Sequence, residues 1–338
     1  MSAPRGNRGA SADPVRDGGP PAEPGGAPWG RAALIEAFGP PDVLEVREVP
    51  RPRPDAGEVL VRVRTAGVQP ADAAIRGGWT PPGATIVFPQ VLGNEFAGVV
   101  VETGPGVQEW AIGDEVVGFR VLGCYADHVA VSAAQVVRKP AAVPWPAAGA
   151  LSASGQTAHT ALERLRVIAG ETLLVHGAAG GVGTMAVQLA VARGARVVGT
   201  ASAANQDHVR SLGAAPVVYG PGQEDRIRAA APQGVDAALD VAGHDGLLIS
   251  VRLVADRDRV GTSVDRALQQ RLGCRWISSD RSTARLAALL DLCARGTLAV
   301  TVRNLLPLER VAEAHRDVET GHGRGKVVLR VSEDSEGS

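Results

Sequence analysis

The sequence predicts an α/β protein in which a mostly β part is followed by a doubly wound parallel sheet. Three observations carry this. Residues 29–143 hold short runs in which apolar and polar residues alternate, the mark of half-buried strands. From about residue 172, strand-like and helix-like segments take turns, which implies a parallel sheet covered on both faces. Where that alternation starts stands "LLVHGAAGGVGTMAVQLA" (173–190), with four glycines within seven residues.

Residues 1–28 are rich in Gly, Pro, Ala and Arg and have almost no large apolar side chain, so a disordered tail is expected. The stretch has no continuous apolar centre of the kind a secretory leader needs. "VLEVREV" and "EVLVRVRTAGV" then alternate strictly, and "EFAGVVVETG", "DEVVGF" and "CYADHVAV" continue the pattern between Gly and Pro punctuation. A helical segment is expected over 147–165. The expected strands of the parallel sheet are 172–176, 196–200, 217–219, 237–241, 259–262 and 275–278. The expected helices are 182–193, 205–212, 225–231 and 244–254, with a further amphipathic helix over 281–295. "LPLERVAEAHRDVETGHGRGKVVLRVS" adds one helix and one last strand. No internal repeat is visible.

With 338 residues, 45% of them hydrophobic, the chain is long enough for two modest domains or one large one. The 35 Lys and Arg balance the 36 Asp and Glu, so no basic stripe points to nucleic acid. Aromatics make up 3%, too few for a base-stacking surface. No apolar run is long enough to span a membrane. Cys124, Cys274 and Cys293 lie far apart with no CxxC, which suits a reducing cytoplasm and argues against disulfides or structural zinc.

Residues 173–176 read as a strand, 177–183 as a turn, and 184 onward as a helix with an Ala, Val and Leu face. A pyrophosphate sits over the start of such a helix, where free N–H groups and the positive dipole end face it. Glycine lets the backbone come close. Ala179, Gly180, Gly181 and Val182 are the turn residues expected to face the cofactor; the plainer reading is a tight βα turn. An NAD site places Asp or Glu at the end of the second strand. Here that end reads Thr200-Ala201-Ser202, with no acid before Asp207. NADPH is therefore the expected cofactor, with Ser202 as a donor to the 2′-phosphate or as a helix N-cap. Its counter-cation is sought in Arg324, Arg210 or His208.

With those residues in view, the chain resembles the medium-chain dehydrogenase/reductase superfamily, in its zinc-free quinone oxidoreductase (zeta-crystallin-like) branch. "ETLLVHGAAGGVGTMAVQLAVARGARVVGTAS", "VLGNEFAGVVVETGPGVQEWAIGDEVVGF", "ASGQTAHTAL" and "PLERVAEAHRDVETGHGRGKVVL" carry the likeness. The resemblance implies a GroES-like, partly barrelled substrate domain (29–152 and 301–338), with a Rossmann domain (153–300) inserted in it and a cleft between the two. It also implies a homodimer. The alcohol-dehydrogenase branch has a zinc-ligating cysteine after "AGV" and a histidine in "GHE". This chain has Gln69 and Asn94 there, and amides make poor zinc ligands. No metal is expected.

A metal-free reaction favours an acceptor that spreads its charge, such as a quinone or an enone. From the resemblance, Gln69 is the first catalytic candidate, with a loop amide as the plainer reading. Thr157 is the second, beside the nicotinamide, or else an ordinary first-turn helix residue. Asp72 is read as fixing the loop. Trp79 and Thr80 follow "IRGG" where pocket-wall residues are common, although plain packing would also explain Trp79. Tyr125 in "GCYADHV" is a candidate contact to the acceptor, or an aromatic kept for structure. Tyr219, Val241, Ala242 and Thr262 end later strands near the adenosine, ribose and nicotinamide. Lys326 resembles a lysine near the cofactor cleft, or is an edge-strand lysine. An enoyl reductase for a polyketide-like intermediate is the alternative enzyme, and a non-catalytic NADPH-binding sensor is the alternative of another class.

Overall fold

Leu173, Leu174 and Val175 are all buried, yet successive strand residues face opposite sides of a sheet. That strand must therefore lie under cover on both faces. The computed structural model describes residues 29–243 and 245–332. The tail expected over 1–28, His244 at the start of the helix expected over 244–254, and residues 333–338 lie outside the described residues.

The first part comprises β1 (Trp29–Ile35), β2 (Glu45–Pro50), β3 (Glu58–Val68), α1 (Pro70–Arg76), β4 (Gln90–Val91) and β5 (Glu95–Thr103). It continues with β6 (Glu115–Phe119), β7 (His128–Ser132), β8 (Val136–Arg138), α2 (Trp145–Ala148) and α3 (Ser152–Arg164). Next come β9 (Thr172–His176), α4 (Gly181–Ala192), β10 (Arg196–Ala201), α5 (Gln206–Ser211), β11 (Ala215–Val218), α6 (Gln223–Ala230) and β12 (Ala237–Asp240). The chain closes with α7 (Gly246–Leu253), β13 (Val260–Thr262), α8 (Arg266–Leu272), β14 (Arg275–Trp276), α9 (Thr283–Ala294), β15 (Val302–Pro307), α10 (Val311–Glu319) and β16 (Lys326–Arg330).

The parallel sheet has the order β11-β10-β9-β12-β13-β14. Order reverses between β9 and β12, and such a switch point leaves a crevice beyond the carboxyl ends of the strands. One face packs Leu173, Val175 and Leu239 against Leu162 of α3, Met185 and Leu189 of α4, and Leu286 and Leu289 of α9. The other packs Leu174, Ala238 and Val260 against Ile227 of α6, Leu247 of α7 and Leu268 of α8. The fold is thus an α/β Rossmann sheet accompanied by a largely antiparallel, GroES-like sheet in the order β15-β16-β3-β5-β6-β8, to which β7 adds by pairing with β3. β16 pairs antiparallel with β3, so the last strand returns to the sheet that the first part began.

Three local expectations shift. The strand expected at 217–219 is β11, two residues earlier, because the parallel ladder with β10 sets Ala215 opposite Val198 and Pro216 opposite Gly199. Tyr219 lies just past its end. The helix expected over 147–165 is broken into α2 and α3 at Gly149, which packs against Thr65 of β3 so closely that a Cβ would collide with it. α8 was not expected; Asp265 starts it by accepting from the Leu268 N–H at 2.8 Å.

Gly118 of β6 lies under the ring of buried Phe96, with no room for a Cβ between them. Gly118→Ala should cost about 1–3 kcal/mol by overpacking. In a Phe96→Leu background the added cost should shrink, as urea unfolding of the four variants will read out. Equal costs in both backgrounds would refute this account.

Candidate active site

The glycine turn sits at the end of β9. Gly177 has φ +77°, which a side chain would strain. The Ala178 N–H is tied to the Thr200 carbonyl at 2.9 Å, anchoring the turn to β10. A Cβ at Gly183 would collide with the Gly177 carbonyl oxygen, so α4 can start this close to the strand only with glycine there. The lead-in to β16 lies across the turn: Gly325 donates to the Ala179 carbonyl at 2.8 Å and bridges Gly180. This contact delivers Lys326. At Gly181 a Cβ would approach the Lys326 Cδ and the Ser154 Oγ at 3.0 Å each.

A cavity of about 1980 Å³ opens from this turn. Gln69, Trp79, Thr157, Ala179, Gly180, Gly181, Val182, Ser202, Tyr219, Val241, Ala242 and Lys326 all line it. Its position at the switch between β9 and β12 is the one open α/β sheets use for ligands.

The inner end is a buried polar network. Lys326, 3% exposed, places its Nζ 3.2 Å from Glu95 Oε1 and 3.2 Å from Ser154 Oγ. Glu95 Oε1 also accepts from Gln69 Nε2, and Oε2 accepts from the Ala153 N–H at 2.6 Å. A carboxylate beside a lysine only accepts hydrogen bonds, so the amide of Gln69 must turn its NH2 toward Glu95. Burial pushes the Lys326 ammonium below its ordinary range, and the Glu95 carboxylate opposes that shift.

Asp72, fully buried, accepts from the Gln69 N–H at 2.9 Å, the Asn94 amide at 2.8 Å and the Tyr125 hydroxyl at 2.7 Å. Its burial pushes its carboxyl up to about 6, against the pull of those three donors. Asp72 therefore fixes the loop that carries Gln69. Asn94 Oδ1 in turn accepts from Arg281 at 2.6 Å. Gln69 and Asn94, which stand where metal ligands were sought, are both committed to this network. Among the described residues no group of three or more His, Cys, Asp or Glu could hold a metal ion.

Toward the outer end, Ser202 begins a short 3-10 turn with no side-chain capping bond, so the N-cap reading of its hydroxyl is not met. Arg324 lies just outside the lining. It donates to Asn205 Oδ1 at 2.9 Å and to the Ala204 carbonyl at 3.1 Å, which puts its charge beside the end of β10. Arg210 is paired with Asp207 instead. His208 lies 3.5 Å from Thr184 Oγ1 and is held below its usual range by burial and by Arg324.

Three expected contacts are corrected. Tyr125 does not line the cavity: it is fully buried with its hydroxyl spent on Asp72, and the bare Gly93 backbone receives its ring. Thr80 is exposed and off the wall, although its neighbours Trp79 and Pro82 in that irregular segment line the cavity. Thr262 is fully buried and its hydroxyl donates to Asp240 at 3.1 Å, leaving Ser263 and Val264 on the wall. Thr157 lines the cavity, although its hydroxyl also donates to the Ala153 carbonyl at 2.7 Å.

The sequence reading passed over Glu95, Ser154, His176 and Arg281. His176 closes β9. Its Nδ1 lies 3.1 Å from the Gln223 amide, and burial pushes it down to about 4, so it is neutral. The one signal for Glu95 was an acid directly before the apolar run 96–101, which requires a buried partner.

Residues 55–141 match the alcohol dehydrogenase GroES-like domain family, and residues 212–329 match a family described as zinc-binding dehydrogenase. The quinone oxidoreductase of Lama guanicoe is 30% identical over 324 residues, covering 88% of this chain and 97% of that protein. The chain belongs to the quinone oxidoreductases of the medium-chain dehydrogenase/reductase superfamily. As a member of this branch it is an oxidoreductase with a nicotinamide cofactor. Despite the second family's description, the Gln69 and Asn94 amides do not fit zinc. The Escherichia coli quinone oxidoreductase complexed with NADPH superposes with a TM-score of 0.79 at 25% identity, over 89% of this chain and 100% of that one. The polyketide synthase GfsB of Streptomyces halstedii is 35% identical over 294 residues, or 82% of this chain. The chain spans only 5% of that synthase's length.

The Asp72 network makes a pH prediction. A carboxyl raised to about 6 in the folded chain holds its proton longer than an unfolded one. The folded state therefore binds more protons between the two pKa values, and stability falls as pH rises through that window. The stability of wild type relative to Asp72→Asn should decline from about pH 4 to pH 6 at up to roughly 1.4 kcal/mol per unit and level off above it. Urea midpoints across pH will show this; a difference that grows with pH would contradict it.

Proposed function

We propose that the chain transfers hydride from NADPH to a quinone or an α,β-unsaturated carbonyl. The observation that carries the reading is a single cavity joining the glycine turn to an inner end walled by Gln69, Thr157 and Trp79. NADPH, when bound, supplies the hydride. The glycines at 180 and 181 and the start of α4 would hold its pyrophosphate. Ser202, Asn205 and Arg324 would hold a 2′-phosphate, and no acid stands there to favour the 2′-hydroxyl of NADH.

Reduction of a quinone or an enone leaves an enolate-type oxygen whose spread charge a few donors can hold. With its Nε2 already bonded to Glu95, Gln69 keeps one amide N–H and its carbonyl oxygen for the ligands. The Lys326–Glu95 pair holds that amide in place, so it need not reorganise during reaction. Trp79 gives an acceptor ring an apolar face. The names and contents of the relatives support the reading: quinone oxidoreductases from several organisms, one of them complexed with NADPH. A second reading, enoyl reduction of a biosynthetic acyl intermediate, is favoured by the likeness to GfsB and to the pikromycin synthase component PikAII, which is 32% identical over 293 residues.

The chain should oxidise NADPH with a panel of quinones and enones, and a chelator should leave the rate unchanged. Arg324→Gln should raise the KM for NADPH roughly tenfold, as loss of a charge-assisted bond implies, and leave that for NADH unaltered. A wild-type preference for NADH, or inactivation by chelator, defeats this reading. Turnover of acyl thioesters alone transfers the case to the second.

A further inference from the structure

Five basic side chains line the cavity: Arg76, Arg252, Arg281, Arg303 and Lys326. Four have a carboxylate partner. Arg76 pairs with Glu319, Arg252 with Glu224 at 2.7 Å, Arg303 with Asp317 at 2.9 Å and Lys326 with Glu95 at 3.2 Å. Arg281 differs: among the described residues its partners are all neutral. It donates to the Asn94 carbonyl at 2.9 Å, to Asn94 Oδ1 at 2.6 Å and, weakly, to the Arg120 carbonyl at 3.5 Å. Its other neighbour is the Phe119 ring, 5.9 Å away. A half-buried cation without a counter-charge carries a desolvation cost that folded proteins rarely leave uncompensated.

The guanidinium is also fixed. Asn94 gives its NH2 to Asp72 at 2.8 Å, so its carbonyl oxygen must face Arg281, and flipping the amide would oppose donor to donor. The Asp72 carboxylate reaches Arg281 only through this amide. Three of the five guanidinium N–H groups are used, which leaves the Nε proton and one Nη2 proton. The anchoring carbonyls belong to Asn94, just before β5, and Arg120, just after β6. Arg281 is thus braced on the rim of the antiparallel sheet, whereas Lys326 stands beside the glycine turn where the cofactor's pyrophosphate is expected.

We propose that Arg281 forms an anion subsite at the inner end of the cavity, and that the acceptor is an acidic quinone or enone whose ionised carboxylate pairs with it. This rests on the hydride-transfer reading above and adds the charge of the acceptor. A planar guanidinium with two free N–H groups suits a carboxylate better than a point charge would.

The test compares 3-benzoylacrylate with its methyl ester as acceptors. It also compares the saturated 3-benzoylpropanoate with its methyl ester as ligands of the NADPH-loaded chain, by calorimetry. In wild type the acid should have a KM, and its saturated analogue a Kd, roughly tenfold or more below those of the ester. In Arg281→Gln the acid-to-ester ratio should fall to about one, whatever happens to the absolute rates. Arg281→Lys should keep part of the preference. Equal constants for acid and ester in wild type would overturn the proposal. So would a preference that survives Arg281→Gln, or a loss of NADPH affinity in that variant with the ratio unaltered. If neither acid nor ester is reduced and the panel of quinones and enones also fails, the hydride-transfer reading fails, and the calorimetric ratio alone still decides the subsite.

Discussion

The contact between the Lys326 ammonium and the Glu95 carboxylate holds the site together. Each comes from a different strand of the antiparallel sheet. Around the pair stand Ser154 on α3 and Gly181 at the start of α4, both against Lys326, and Gln69 before α1, which bonds Glu95. A buried ion pair adds little net stability, because desolvating both charges offsets their attraction. Its value here is geometric. With the pair in place, the glycine turn, the loop that carries Gln69 and the last strand are held in one arrangement.

The same logic extends outward along the cavity. Asp72, Asn94, Tyr125 and Arg281 form a second set of matched donors and acceptors, joined to the first through Gln69. Side-chain amides fill the places where a related zinc enzyme would put a thiolate and an imidazole. Amides are poor zinc ligands, but their orientation is forced by charged neighbours, and preorganised dipoles of this kind stabilise charge without having to move. The network is also costly to disturb, since removing one member strands its partner in a low-dielectric interior.

What could be read in the sequence follows from this division. The glycine turn, β9 and the alternation after it were visible because each rests on local backbone need: a positive φ at Gly177, a close approach at Gly183, a strand covered on both faces. The turn residues and Tyr219 accordingly line the cavity. Tyr125, Thr80 and Thr262 were misplaced because an aromatic or a hydroxyl in a loop or at a strand end says nothing about which way it turns. Here Asp72 and Asp240, distant in sequence, claim two of the three. Arg281, and the partner of Glu95, were hidden for the same reason. Glu95 meets Lys326 only through the return of β16 to β3, and Arg281 meets Asn94 and Arg120 where β5 and β6 pair; no local pattern encodes either. β11 slipped because its register is imposed by β10 against weak strand propensity at Ala215 and Pro216.

The bridge between Gly180 and Gly325 ties the nucleotide turn to a segment near the other end of the chain. Contacts between such distant parts form late, because a long loop must close before they gain anything. A ribosome-bound chain lacking its final strand would carry the glycine motif but not the wall that completes it. Such a chain would lack both the Gly325 donor to the Ala179 carbonyl and the lysine that stands beside Glu95.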